Sequence, residues 1–154
     1  TYNWFMKKIY LDDMRTPLDR EWVVVRNYSE FVTQVQDIGL NNISEISLDH
    51  DLGDTAMDEY FNNVKPNYTL DYNNITEKTG YDCAKWLVEH YYQLNPDVVN
   101  IDRFTKKKSE FNFPKITTHS ANPIGASNIM GYINNFLNIE GRAQNCVRVA
   151  IPHV

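Results

Sequence analysis

Ser47-Leu48-Asp49-His50-Asp51-Leu52-Gly53 runs from an apolar stretch (Ile43, Ile46, Leu48) into acid, imidazole, acid and then glycine. Leu11-Asp12-Asp13 and Thr118-His119-Ser120-Ala121-Asn122 repeat that pattern, apolar first and ionisable or polar immediately after. Charge at the end of a buried stretch is costly unless it is paired or binds a metal. Asp12, Asp13, Asp49 and Asp51 make four carboxylates whose repulsion must be neutralised by protons or a cation. Hard oxygen donors without cysteine suit a divalent ion, with Mg²⁺ or Mn²⁺ expected first and Ca²⁺ compatible. Taken singly, each aspartate can instead cap a loop or helix, or pair with Arg15.

His50 and His119 add groups that titrate near neutral pH. One can take a proton from water while the other protonates a leaving oxygen, with Asp49 beside them in the catalytic set. Two alternatives stay open: a transition metal bound together with the aspartates, or structural imidazoles satisfied by backbone carbonyls. For the substrate, Arg15 can fork two phosphate oxygens. Ser120 and Asn122 can donate to others, and a helix opened by Asn122-Pro123 offers N–H groups to an anion. Asn122 serves equally well as a helix cap. Asn128 joins the substrate-binding set by its position on that helix alone.

Apolar periodicity defines the elements that must carry these residues. Lys7–Leu11 and Trp22–Arg26 read as strands. Ser29 reads as the cap of a helix with Phe31, Val32, Val35 and Ile38 inward and Gly39 as its stop. Ile43–Leu48 is the third strand. Residues 54–79 are rich in Asn, Asp and Tyr, contain Pro66, and are long for a connection. They read as a lid or small insertion, whose Tyr60, Tyr68 and Tyr72 either stack on a base or pack on their own scaffold. A helix capped by Asp82, or by Thr79 with Asp82 as box partner, carries Ala84, Leu87, Val88 and Tyr91 inward and ends at Pro96. His90 falls outside that stripe, on the surface. Lys106-Lys107-Lys108 is a basic loop, solvated or attracting a ligand phosphate. Pro114–Thr118 is a strand, Asn122-Pro123 starts a helix buried through Ile129, Ile133, Phe136 and Leu137, and Gly141 closes it. Cys146–Ile151 is the last strand.

Strands alternating with helices predict an α/β fold: a largely parallel five-stranded sheet with helices on both faces and a long insertion after strand 3. Ligands of such sheets sit beyond the carboxyl ends of the strands. All three ionisable stretches fall there.

With 154 residues and 42% apolar content, the chain is expected to form one domain over 1–154. Residues 1–6 read as a leader or extension, with Met6 an alternative start. The net charge of −5 argues against a surface that wraps long nucleic acid. No apolar run approaches the roughly 18 residues of a membrane span, and no secretory signal is apparent. Cys83 and Cys146 lack metal-type spacing and read as reduced thiols of a cytoplasmic protein.

The pattern resembles the CheY-like receiver domains of two-component signalling. Asp12-Asp13 resembles the receiver acidic pair that binds Mg²⁺, Asp49 the phospho-accepting aspartate, and Ser120 the hydroxyl residue that ends β4. Asp51 falls where a backbone carbonyl normally joins the metal site, and Gly80 resembles the glycine before the next helix. Receivers end β5 with Lys-Pro; here Ile151-Pro152 stands instead, so the lysine that pairs with the acyl-phosphate is missing.

The ordered set Leu-Asp-Asp-x-Arg-x-Pro (11–17), Trp22, Leu-Asp-His-Asp-Leu-Gly (48–53), Thr-Gly-Tyr-Asp (79–82) and His-Ser-x-Asn-Pro-x-Gly (119–125) is similar to the cyclic-phosphate-processing receiver-like family of phages and bacteria. That resemblance implies action on cyclic phosphates of nucleotide signals or RNA ends. The expected function is a metal-assisted phosphodiesterase on a small phosphorylated nucleotide, working in the host cytoplasm and against nucleotide-based immunity if phage-encoded. The alternative is a sponge that binds a cyclic nucleotide or ADP-ribose-like signal without cleaving it. An atypical phosphorylatable receiver ranks third because the lysine is missing.

Overall fold

The computed structural model describes residues 6–96 and 111–154; Lys106-Lys107-Lys108 lies outside the described residues. Strands β1 (Lys7–Leu11), β2 (Trp22–Val25), β3 (Ile43–Leu48), β4 (Lys115–Thr118) and β5 (Val147–Arg148) form one sheet in the order β2-β1-β3-β4-β5. Every pairing in it is parallel. Helix α1 (Tyr28–Ile38) joins β2 to β3, α4 (Gly80–Leu94) joins β3 to β4, and α5 (Pro123–Ile139) joins β4 to β5. This is the receiver-like α/β architecture.

Alternation along the strands divides the sheet into two unlike faces. Ile9, Ile46 and Ile116 lie in register, as do Leu11, Leu48 and Thr118. Ile9, Leu11, Ile46, Leu48 and Ile116 share one core cluster with Phe31 and Val35 of α1, Leu87 and Val88 of α4, and Ile129, Ile133 and Phe136 of α5. The other parity gives Lys8, Tyr10, Glu45, Ser47, Lys115 and Thr117. The expectation of helices on both faces is therefore corrected: the three long helices share the apolar face. A right-handed crossover that always advances in one direction along a parallel sheet stays on one side of it. The polar face is dressed instead by the 12–21 loop and the C-terminal tail, where Lys8 pairs with Asp19 and lies over the Trp22 ring.

Local chemistry sets the element ends. Asn27, not Ser29, caps α1; its Oδ1 accepts from Glu30 N while its Nδ2 donates to Glu30 Oε2. Thr79 and Asp82 form a full capping box on α4. The expected strand over Cys146–Ile151 shrinks to Val147–Arg148, because the chain then leaves the sheet. The tail runs antiparallel to the 16–18 segment, with Leu18 N donating to Pro152 O and Val154 N to Thr16 O.

The polar 54–79 segment has structure of its own. Helix α2 (Asp54–Glu59) runs into a π-helical turn (Tyr60–Val64) and then α3 (Lys65–Asn67). Pro66 has no N–H to close an α-helical bond, and the ladder widens just before it. Tyr68, at φ 58°, ends the run in the left-handed region. Buried Glu59 ties the segment together by accepting from Asn63, Asn74 and the Asp71 backbone. Among the described residues, no helix is long and apolar enough to cross a membrane.

Candidate functional site

The three ionisable stretches meet at the carboxyl rim of β1, β3 and β4. Asp12 is its hub and is almost fully buried. Its Oδ1 accepts from the backbone N–H groups of Met14 (3.0 Å) and Arg15 (2.7 Å). Its Oδ2 accepts from Arg15 Nε (2.9 Å) and His119 Nε2 (3.1 Å). Burial would raise this carboxyl, but the His119 bond and the backbone donors outweigh it and hold it down at about 2. Asp49 behaves oppositely. Burial first, and the Asp12 charge second, push its carboxyl up to about 8 even with Arg15 Nη2 3.9 Å away. Burial and the Asp12 charge raise Asp13 as well.

Asp12, Asp13 and Asp49 each offer an oxygen within 4.8 Å of the others. Three hard oxygen donors, two of which resist ionisation without a counter-charge, could hold a metal ion. Asp51 stands at the edge of this set: its Oδ1 takes His50 Nδ1 at 2.6 Å and Asn122 Nδ2 at 3.2 Å. Two cavities adjoin here. An acidic well of about 200 Å³ is lined by Asp12, Asp13, Asp49 and Asp51 under a lip of Met14, Met57 and Tyr60. A wider cavity of about 490 Å³ is lined by His119, Ser120, Arg148, His153 and residues 149–151. Arg15 lines both.

The two histidines are set apart. His119 shares strand parity with Ser47 and Thr117, so it turns to the polar face. There its Nδ1 meets Ser47 Oγ at 2.8 Å and its ring stacks on Tyr10 at 4.1 Å. Burial lowers its pKa despite the Asp12 bond. His50 has the parity of Leu48 and turns to the helix face, fully buried, with its Nε2 2.9 Å from Tyr72 Oη. It lines neither cavity. Asn128 goes with it, donating to Tyr72 Oη at 3.0 Å. Burial pushes that phenol up to about 12.

Asn122 is the cap of α5, and its Oδ1 accepts from Ile124 and Gly125, N–H groups an anion would have used. Ser120 lines the wider cavity, and its Oγ accepts from Asn122 N. Two motif glycines make room for the β3 tip. A Cβ on Gly80 would lie 1.8 Å from Asp49 O, and one on Gly125 would lie 2.3 Å from His50 Cγ.

Sequence reasoning missed four contributors to this rim. Tyr10, Ser47 and Arg148 looked like ordinary strand residues, although parity alone puts Tyr10 and Ser47 beside His119. Arg148 donates from Nε to Ser120 O at 3.0 Å. His153, next to the last position of the sequence, carried no signal at all. It reaches the rim only because the tail folds back, and its Nε2 hydrogen-bonds Tyr10 Oη.

No curated protein and no solved structure matched the chain. The family model described as cyclic-phosphate processing Receiver domain matches residues 7–135, which covers every strand except β5 and all the motifs above. The chain belongs to the cyclic-phosphate processing Receiver domain family.

Proposed function

We propose that this domain hydrolyses a phosphodiester in a cyclic phosphate, in a cyclic nucleotide or a 2′,3′-cyclic phosphate end. The observation that carries the reading is Arg15, one guanidinium lining both the acidic well and the wider cavity with its Arg148 wall. A cation seat and an anion seat thereby share a wall.

In this reading Asp12, Asp13 and Asp49 hold the divalent ion. When bound, that ion polarises the phosphate and makes water acidic enough to attack at neutral pH. Arg15 and Arg148 hold phosphate oxygens by charge-assisted bonds, with Ser120 Oγ beside them. Water adds to phosphorus, one ring P–O bond breaks, and the leaving oxygen takes a proton from solvent. His50 and His119 have both ring nitrogens engaged, so the proposal gives them positioning roles rather than an acid–base pairing. His119 fixes Asp12; His50 fixes Asp51 and Tyr72.

Incubation with a panel of cyclic nucleotides and 2′,3′-cyclic phosphates, with Mg²⁺ or Mn²⁺ and then with chelator, tests this. Ring-opened monoester that forms only with the ion is expected. Ligand recovered intact from denatured protein would favour sequestration instead.

A further inference from the structure

We propose that Asp12, His119 and His153 bind one transition-metal ion of the zinc type, meeting the hard-ion set at Asp12. One ligand atom from each of the three lies within 4.8 Å of those of the other two. They come from three separate stretches: the β1 exit, the β4 exit and the C-terminal tail. His153 lies beyond the matched residues 7–135, so the family match does not speak to it.

Two imidazoles and one carboxylate are a borderline donor set that selects Zn²⁺, Co²⁺ or Fe²⁺ over Mg²⁺. Ligands at about 2.1 Å in a tetrahedral arrangement sit about 3.4 Å apart; His119 Nε2 and Asp12 Oδ2 already stand 3.1 Å apart, so any adjustment falls to His153. His153 sits on the half-buried tail, and the bridge to the 16–18 segment sets its position beside the other two ligands. His119 and Asp12 are fixed points, each with a side chain only 1% exposed.

The outer partners are already in place. Ligation through His119 Nε2 needs the ring proton on Nδ1, where Ser47 Oγ stands at 2.8 Å as acceptor. The change is a tautomer shift, with the Ser47 hydroxyl turning from donor to acceptor. Tyr10 orients both imidazoles at once, stacking on His119 and hydrogen-bonding His153. His119 and His153 also line the wider cavity, which gives the ion an open side for water or a phosphate oxygen.

The inference shares Asp12 with the proposed hydrolysis but needs no turnover, and its test uses no substrate. Co²⁺ is titrated into the metal-free full chain and followed by visible absorption. Wild type is expected to take one ion with the d–d bands of a four- or five-coordinate site, and Asp13→Asn to keep them. Ser47→Ala should weaken uptake roughly 10–100-fold, the cost of an outer partner, and His153→Gln by more. His153 lies in the terminal tail, so that variant spares the core. Failure of wild type to bind Co²⁺, uptake unchanged in His153→Gln, or bands lost in Asp13→Asn but kept in His153→Gln would each overturn the proposal.

Discussion

His50 and His119 leave neighbouring parallel strands at the same rim and end up in opposite settings. His50 is enclosed by helix α5 and Tyr72, between Asp51 and a raised phenol, with no cavity at its edge. His119 stands on the polar face with Asp12, Ser47 and Tyr10, and lines a cavity bordered by two arginines. The difference is one of parity. A residue directly after an apolar strand end turns to the polar face, and the next one turns back to the helices. His119 is the first residue after β4; His50 is the second after β3. Identical side chains at neighbouring strand ends thus serve different purposes, one bracing the tip and one shaping the site.

Four substitutions break or sharpen that contrast. Gly80→Ala attacks the strand tip common to both sides, because its Cβ would meet backbone at Asp49 O. A loss of about 3 kcal/mol or more is expected in urea unfolding, with both sides disturbed. Gly125→Ala presses only on the His50 ring. It should cost about 1–3 kcal/mol in the same assay and leave divalent-cation binding on the polar side intact.

Asp49→Asn tests the acidic well through pH. The folded carboxyl is raised from 3.8 to about 8, so between those values the folded chain holds a proton that the unfolded chain has released. Stability of the metal-free wild type must then fall as pH rises through that window. The variant lacks this slope, so its melting temperature should exceed that of wild type by a margin that grows from pH 4 to pH 8. An equal margin at all pH values would contradict the Asp49 assignment. Ser47→Ala has the smallest stability effect, about 1 kcal/mol by thermal melting, from the lost partner of His119 Nδ1.

Much of this arrangement was legible in the residues. Apolar runs defined β1 and β3 residue for residue, and Asn122-Pro123 defined the start of α5, since those signals are local. The convergence of Asp12, Asp13 and Asp49 followed from the rule that parallel sheets place sites at strand carboxyl ends. The pairing of His50 with His119 rested on proximity along the rim and ignored the strand parity that separates them. The helix inside residues 54–67 was hidden by Asn, Tyr and Pro66, and depends on a buried Glu59 whose partners are distant in sequence. His153 was invisible because only tertiary packing of the tail brings it back.

The central claim is that the acidic well on the polar face drives cyclic-phosphate hydrolysis. The most direct measurement follows ³¹P resonances of a cyclic phosphate with Mg²⁺ or Mn²⁺ and either wild type or Asp13→Asn. Asp13 is half-buried and makes none of the Asp12 contacts that hold the loop, so its loss tests chemistry rather than folding. Conversion to monoester by wild type, slowed about 10²–10³-fold in the variant, is the predicted result. Equal conversion by both proteins, or none by wild type, would contradict it.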